Sequence, residues 1–236
     1  HKMNEVMEYS DRITVLKSGR VEDEMLTKDA TIERLTKAVV GSRSLNKKVV
    51  KAKKESADVL LEVEHLHVKN DKGLIALKDI SFSLRSGEIF AIAGVAGNGQ
   101  RELAEALAGL RKITSGKVYM SGRDITEANA KERISLGISF IPEDRLKMGL
   151  IPGMNLKQNA ILKSFREPEY SRFGFLRDKP IKALTERFVE THDIKNGGIG
   201  LPVGMMSGGN QQKLLIAREV HCEPALIIAA YPVRGL

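Results

Sequence analysis

The chain has 236 residues, of which 42% are hydrophobic and 29% charged, so it carries enough apolar side chains for a folded core. Its formal net charge of +8 favours anionic partners such as phosphates, nucleic acid or a lipid surface, without choosing among them. A disulfide scaffold is excluded because Cys222 is the only cysteine. We find neither an apolar run of the roughly 18 to 20 residues that a bilayer crossing needs nor the apolar segment of a secretory signal.

The first 45 residues predict a small group of elements that cannot form a domain alone. These elements are a helix over residues 2–9, strands around residues 13–16 with a turn at 18–19, and a helix over residues 31–40. They are too few to bury a core, so we interpret residues 1–45 as the tail of a larger domain. The basic stretch of residues 46–58 is interpreted as a linker, with contact to anionic lipid headgroups as the alternative.

From residue 59 the pattern is typical of an α/β domain. Apolar positions between residues 60 and 84 predict antiparallel strands, and the continuous apolar run at 89–93 predicts a buried parallel strand. The remaining predicted elements are helices over residues 100–110 and 210–220 and strands over residues 117–120, 138–141 and 225–230. Strands that alternate with helices predict a parallel α/β core. Residues of about 145–205, which are poor in strand patterns, predict a helical insertion.

A glycine-rich turn follows the predicted strand at 89–93. Its position suits a phosphate cradle, because glycines let the backbone approach an anion and the amides at a helix start point towards it. Gly94 and Gly99 match the pattern G-x-x-x-x-G-K-[ST], but Gln100 replaces the lysine and Arg101 the hydroxyl residue. The candidate nucleotide-binding residues here are Gly94, Gly97, Asn98, Gly99, Gln100 and Arg101. Taken alone, the altered pattern fits a turn that binds no phosphate better than one that does.

A second motif, Met-Ser-Gly-Gly-Asn-Gln-Gln-Lys at residues 206–213, stands at the start of a predicted helix. It resembles the signature sequence of the ATP-binding-cassette (ABC) ATPases. A serine hydroxyl, glycine amides and a helix N-terminus together form a second anion site. The candidate residues of this motif are Ser207, Gly208, Gly209 and Gln211.

Further landmarks of the ABC family follow in order. Residues 140–145, Phe-Ile-Pro-Glu-Asp-Arg, resemble the Q-loop, with Glu143 where most cassettes carry glutamine. The strand near residue 226 resembles the hydrophobic half of the Walker B motif, but Ala230 replaces its metal-associated Asp and Tyr231 its catalytic Glu. His1 resembles the switch histidine of a preceding cassette, with a tag remnant as the alternative.

The resemblance implies an α/β fold with a P-loop NTPase (RecA-like) core, an antiparallel β subdomain and a helical insertion subdomain. It implies that residues 1–45 end a first cassette and that residues 59–236 form most of a second, truncated after Walker B. The motifs are similar to those of the fused tandem-cassette subunits of bacterial nucleoside importers, with simple-sugar importers of the ribose and galactose type as the alternative.

The same resemblance implies cofactors and partners. ATP is the implied cofactor, with Mg²⁺ at the partner site of the full-length protein. The implied partners are two integral-membrane permeases, an extracytoplasmic substrate-binding lipoprotein and the first cassette, with no nucleic acid. The subunit would lie peripherally on the cytoplasmic face of the bacterial membrane.

Four substitutions predict that this cassette does not hydrolyse ATP in its own pocket. Gln100 brings no charge to the phosphates, and Arg101 has only donors and so cannot ligate a cation. Ala230 and Tyr231 remove both acids, so we expect no metal-binding residue there.

The retained signature has a different implied role. Paired cassettes in this family enclose two nucleotides head to tail, so Ser207 and its glycines would complete the first cassette's pocket, to which His1 would also belong. Two other classes of function remain open: a soluble ABC protein acting on nucleic acid, and a stand-alone regulatory module. The basic charge allows the former, but aromatic residues make up only 5% of the chain, which argues against it.

Overall fold

The computed structural model describes residues 3–17, 20–40, 58–95 and 97–232. The chain divides into two compact units, with the division between residues 53 and 54. His1, the predicted turn at 18–19 and nearly all of the predicted linker at 46–58 lie outside the described residues.

The N-terminal unit contains the two helices and the strand pair that the sequence predicts. Its elements are helix α1 (Met3–Tyr9), strands β1 (Arg12–Lys17) and β2 (Arg20–Leu26), a short 3-10 turn (Thr27–Asp29) and helix α2 (Ile32–Val40). The two strands are antiparallel. Alternation places Ile13 and Val15 of β1 inward, where they pack with Met25 of β2 and Leu35 of α2.

The second unit begins with an antiparallel sheet, as predicted. Its strands are β3 (Val59–Lys69), β4 (Ile75–Arg85), β5 (Ile113–Met120) and β6 (Arg123–Asp124), in the order β4-β3-β5-β6. Side chains of β3 alternate between the two faces of the sheet: Leu61 and Val63 are buried, whereas Glu62 and Glu64 are exposed. Helix α3 (Gln100–Leu107) contributes Leu103, among others, to the same core.

Among the residues that the structure describes, two strands form the parallel part of the fold. Strand β7 (Ile138–Ile141) follows helix α4 (Ala130–Ser135), and strand β10 (Leu226–Ala229) follows helix α7 (Gly208–His221). The two strands pair in parallel along their whole length. Their arrangement agrees with the predicted parallel α/β core.

The segment between β7 and α7 contains short helices joined by turns, and one small hairpin. Its elements are a five-residue π-helical turn (Arg145–Gly149), helices α5 (Leu156–Ala160) and α6 (Asp178–Thr191), the hairpin strands β8 (Ser171–Arg172) and β9 (Phe175–Leu176), and a 3-10 turn (Val203–Met205). Leu156, Leu184 and Phe188 form a core with Leu214 and Leu215 of α7. Among the residues that the structure describes, no helix combines the length and the apolar character that crossing a membrane requires.

Residues 89–93 do not form the buried strand that their apolar run predicts. They belong to no ladder, and the Ile89, Phe90 and Ile92 side chains are 72%, 44% and 50% exposed. A buried parallel strand needs neighbouring strands to pair with its backbone, and in the described structure the parallel sheet consists of β7 and β10 alone. The prediction of a strand here is therefore wrong, although Phe90 stacks on Phe82 of β4 with ring centroids 5.0 Å apart.

Arg133 of α4 forms hydrogen bonds that connect α4 with two other segments of the second unit. Its side chain is buried and donates hydrogen bonds to the carbonyl oxygens of Ala128, Leu107, Ile125 and Thr126 at 2.9, 2.9, 2.7 and 3.2 Å. Burial lowers the pKa of its guanidinium. The four carbonyls belong to the end of α3 and to the connection between β6 and α4, so one side chain satisfies acceptors that the fold has removed from water.

Replacing Arg133 with methionine is expected to lower the free energy of unfolding by about 3 kcal/mol, because buried carbonyls would lose their donors while the aliphatic stem is kept. Urea unfolding followed by circular dichroism measures this change. Arg123→Met, which alters an exposed arginine of β6, serves as the control and is expected to leave the midpoint unchanged. Equal midpoints for the two variants would contradict the structural role of Arg133.

Candidate functional site

The glycine-rich turn, residues 94–101, is fixed against β4 by Gly99. Gly97 and Gly99 have φ values of 94° and 96°, a left-handed conformation that glycine adopts without a steric cost. A Cβ on Gly99 would lie 2.6 Å from Leu77 Cδ2 and 2.9 Å from the Ala76 carbonyl oxygen. Gly99 also caps the N-terminus of α3. Glycine is therefore required here by both conformation and space.

The side chain of Gln100 folds back over this turn. Its Nε2 donates to the Val95 carbonyl at 3.3 Å, and the Asn98 amide donates to the same oxygen at 3.2 Å. A Cβ on Gly94 would lie only 2.0 Å from Gln100 Nε2, so the amide fills the space beside Gly94. Gln100 thus satisfies an acceptor of the turn itself, where the lysine of the phosphate-binding pattern would present a positive charge to an anion.

Arg101 is held in a network of charges with two acids and a second arginine. Its Nε donates to Glu105 Oε1 at 2.6 Å, and its Nη2 lies 3.4 Å from Asp71 Oδ2. Arg111 Nη2 lies 2.6 Å from Glu105 Oε2 and 2.7 Å from Asp71 Oδ1. The hydrogen bond from Arg111 holds the pKa of Asp71 below its usual range, and the bond to Glu105 raises the pKa of Arg101. Sequence reasoning missed this network, although the i, i+4 spacing of Arg101 and Glu105 was a signal for part of it.

A cavity of about 1770 Å³ lies between the antiparallel sheet, α3 and the parallel strands. Four of the predicted site residues line it, namely Gly94, Gln100, Arg101 and Glu143. The structure therefore brings the altered phosphate turn and the Q-loop position to one cavity. Most of the remaining wall is apolar and includes Ile89, Phe90, Ile92, Leu226 and Ile228.

The Walker B end of the cavity carries Ala230 and Tyr231. Both residues line the cavity, and the Ala230 amide donates to the Ile141 carbonyl of β7 at 2.8 Å. A methyl group and a phenol take the places of the two acids in the family pattern, and neither supplies a carboxylate. In the described parts of the chain no three His, Cys, Asp or Glu side chains converge in a way that could hold a metal ion.

These residues do not fit a Mg²⁺-bound triphosphate held for hydrolysis. Gln100 fills the space beside Gly94, and Arg101 is engaged by two carboxylates, so neither presents a charge to a phosphate in the turn. Phosphoryl transfer depends on such charges, on a carboxylate that ligates the metal and on one that orients water. No hydrolytic step through this cavity follows from the geometry.

The signature residues lie at the start of α7, and none of them lines the cavity. Ser207 is the exposed residue before the helix, and its carbonyl accepts the Gln211 amide at 3.0 Å. Its Oγ accepts a hydrogen bond from Asn210 Nδ2 at 2.8 Å and does not cap the helix. Gly208 and Gly209 are half-buried. Ser207 thus lies at the surface where the helix begins, the kind of position at which helices bind anions.

Gln211 points into the fold. It is 4% exposed, and its Nε2 donates to the carbonyls of Val203 and Met206 at 3.1 and 3.0 Å. Its Oε1 accepts a hydrogen bond from Arg145 Nε at 3.0 Å. A direct role of Gln211 in nucleotide binding stays a prediction. Arg145 was missed by sequence reasoning because nothing in a single sequence reports a contact across 66 residues.

Comparisons with known proteins agree with this architecture. Residues 77–232, more than half of the chain, match the family profile described as "ABC transporter". The nucleoside import ATP-binding protein NupA of Lactococcus lactis subsp. cremoris is 36% identical over 236 residues, which is 100% of this chain and 46% of that protein. The glucose import ATP-binding protein TsgD13 of Haloferax volcanii is 36% identical over 238 residues, 100% of this chain and 43% of that protein.

The chain spans less than half the length of these two relatives. A solved structure of a dimeric bacterial ABC transporter cassette is similar with a TM-score of 0.62 at 22% identity, covering 75% of this chain and 76% of that chain. At this identity the likeness concerns the fold alone. It confirms the predicted α/β fold with a P-loop NTPase core, an antiparallel β subdomain and a helical insertion.

Proposed function

This chain belongs to the ABC transporter family, and we propose from that premise that it is part of the ATP-binding subunit of an importer that takes up nucleosides. The observation that carries the proposal is the pairing of an intact signature turn with an altered phosphate turn in one cassette. Relatives that match the whole chain are described as import ATP-binding proteins, which supports a role in uptake.

The two nucleotide sites of the proposed subunit have different tasks. Residues 1–45 end the first cassette, residues 46–58 link the cassettes, and residues 59–236 belong to the second. ATP, with Mg²⁺, is hydrolysed in the first cassette's pocket, which Ser207 and its glycines complete from the second. His1 is the switch histidine of that pocket and contacts the γ-phosphate.

The pocket of the second cassette does not hydrolyse ATP. Gln100 and Arg101 are engaged within the fold, and Ala230 and Tyr231 carry no acid. Its contribution to transport is structural support of the signature. In this proposal the second cassette acts on the first as a regulatory subunit acts on a catalytic subunit, but both belong to one polypeptide.

Import of a simple sugar is the second candidate. The glucose import relative matches this chain at the same 36% identity as the nucleoside import relative, so identity alone does not separate the two solutes. Selectivity resides in the permeases and the substrate-binding lipoprotein, whose pockets contact the solute.

The proposed permease contact lies on residues 145–175, on the cytoplasmic face of the membrane. Several apolar side chains of this segment are exposed rather than packed, while Leu150 and Tyr170 of the same segment are buried. The exposed ones are Met148, Ile151, Phe165, Phe173 and Phe175. Exposed aromatic side chains on a polar surface are typical of a protein–protein contact.

Reconstitution of the intact tandem subunit tests this function. We expect the subunit to co-purify with two permease chains, and vesicles holding the complex and its lipoprotein receptor to take up nucleosides with ATP hydrolysis. Vesicles without the receptor are the control. Uptake of ribose or galactose in place of nucleosides would support the second candidate, whereas co-purification with nucleic acid and no permease would overturn both.

A further inference from the structure

Arg145 joins the wall of the cavity to the signature turn. It opens the π-helical turn after β7 and lines the cavity in the same stretch as Glu143. Its Nε donates to Gln211 Oε1 at 3.0 Å. A Cβ on Gly208 would lie 2.3 Å from Arg145 Nη2 and 3.2 Å from its Cζ, so the guanidinium lies directly against the Gly208 backbone.

Gln211 extends this connection to both sides of Ser207. Oε1 receives the Arg145 donor, while Nε2 donates to the carbonyls of Val203 and Met206, which precede Ser207 in the chain. Gln211 is buried, so a lost partner would leave a polar atom without compensation from water. Arg145 therefore supplies one of the three hydrogen bonds that hold the amide, and the amide is bonded in turn to the backbone that leads into the signature turn.

The segment that carries Arg145 is itself well anchored. Asp144 Oδ1 accepts hydrogen bonds from the amides of Leu146 and Lys147, both at 3.2 Å, which caps the turn. The bond from the Lys147 amide holds the pKa of Asp144 below its usual range. Arg145 thus faces α7 from a turn whose first residues are hydrogen-bonded to Asp144.

We propose that Arg145 is a positioning residue for the signature turn, and that it sets the orientation in which Ser207–Gly209 meet the nucleotide of the first cassette. The proposal rests on the proposed function. It assigns a reason for the glycine at position 208, because any side chain there would displace the guanidinium. On this proposal, the segment that carries Glu143 and the signature turn move together, because Arg145 connects them.

The test uses the intact tandem subunit with its permeases and receptor, and it compares Arg145→Met with wild type. We expect the kcat for ATP hydrolysis to fall about tenfold while KM changes less than about twofold, because nucleotide affinity resides mainly in the first cassette and misplacement of the signature affects the transition state. Arg145→Lys is expected to lose only about threefold, since an ammonium keeps one donor for Gln211 but cannot cover Gly208 as a planar group does.

Lys182→Met is the matched control. Lys182 lies on α6, its side chain is 54% exposed, and it pairs with Glu186 at 3.8 Å. It lies outside residues 145–175 and does not line the cavity, so its replacement removes one positive charge, as Arg145→Met does, and we expect wild-type kinetics. Adding Gln211→Leu to Arg145→Met is expected to cost little more than Gln211→Leu alone, because both residues act in one connection.

Wild-type kcat in Arg145→Met, or a raised KM with unchanged kcat, would overturn the inference. If Arg145→Met has a lowered thermal midpoint, the Arg145→Lys variant, which keeps the positive charge, is the test: a kcat equal to that of Lys182→Met overturns the positioning role. Ser207→Arg, measured in parallel, separates a failure of this inference from a failure of the proposed function. Loss of activity in Ser207→Arg without any in the Arg145 variants sinks this inference alone, and unchanged activity in Ser207→Arg sinks the proposed function with it.

Discussion

Replacing Ser207 with arginine in the intact tandem subunit is expected to abolish ATP hydrolysis and solute uptake. Ser207 is exposed at the start of α7, and a helix N-terminus is a favourable place for an anion. A long cationic side chain at this position would occupy the space of the phosphate and hold the cassettes apart. Removing one well-placed electrostatic contributor costs on the order of 10² to 10³ in rate, and blocked closure adds to that loss.

Two comparisons make the Ser207→Arg result specific. Ser83→Arg places the same side chain at an exposed position of β4 and is expected to leave hydrolysis and uptake unchanged. Any nucleotide binding measured for the isolated chain is expected to be the same in Ser207→Arg and wild type, since Ser207 does not line the cavity. Hydrolysis at the wild-type rate in Ser207→Arg would defeat the proposed division between the two sites.

The sequence was sufficient for elements whose periodicity is strong. Helix α7 was predicted over residues 210–220 and spans Gly208–His221, and β7 was predicted with its observed bounds. β5 was predicted only from residue 117 onward, although it begins at Ile113. Gly116 interrupts its pattern: its φ is 95°, and a Cβ there would lie 2.4 Å from the His65 carbonyl oxygen. A local irregularity with a tertiary cause leaves little trace in the apolar pattern.

The predicted strand at 89–93 failed for a related reason. A run of apolar residues reports a preference for burial, but a strand exists only if other backbones pair with it. Within the described residues β7 and β10 pair with each other and not with this run. Burial preference alone therefore cannot place a segment in a sheet.

The motifs named candidate residues but not their contacts. Of the candidates in the glycine-rich turn and the Q-loop position, Gly94, Gln100, Arg101 and Glu143 line one cavity, whereas Gly97, Asn98 and Gly99 are not part of its lining. Nucleotide binding by these residues stays a prediction. The sequence did not reveal that Gln100 folds onto its own turn. Such contacts depend on side-chain directions that follow only from the assembled fold.

The 236-residue chain by itself is expected to release no phosphate from Mg-ATP above background. Its own pocket has an amide at Gln100 in place of the lysine, and Ala230 and Tyr231 in place of both acids. Each of these groups contributes charge or positioning to phosphoryl transfer, and the loss of even one typically costs about 10² to 10³ in rate. Their combined absence removes the residues that hold the metal and orient water in the family pattern.

Phosphate release by the purified chain, with the intact tandem subunit as the active reference, measures this expectation. Gly99→Ala distinguishes activity of this pocket from that of a contaminant. An alanine there is strained at a φ of 96° and places its Cβ 2.6 Å from Leu77, so it disrupts the phosphate turn without changing the purification. Clear phosphate release by the wild-type chain that is lost in Gly99→Ala would show that the altered pocket hydrolyses ATP. Low phosphate release that is equal in the two proteins would come from a contaminating ATPase.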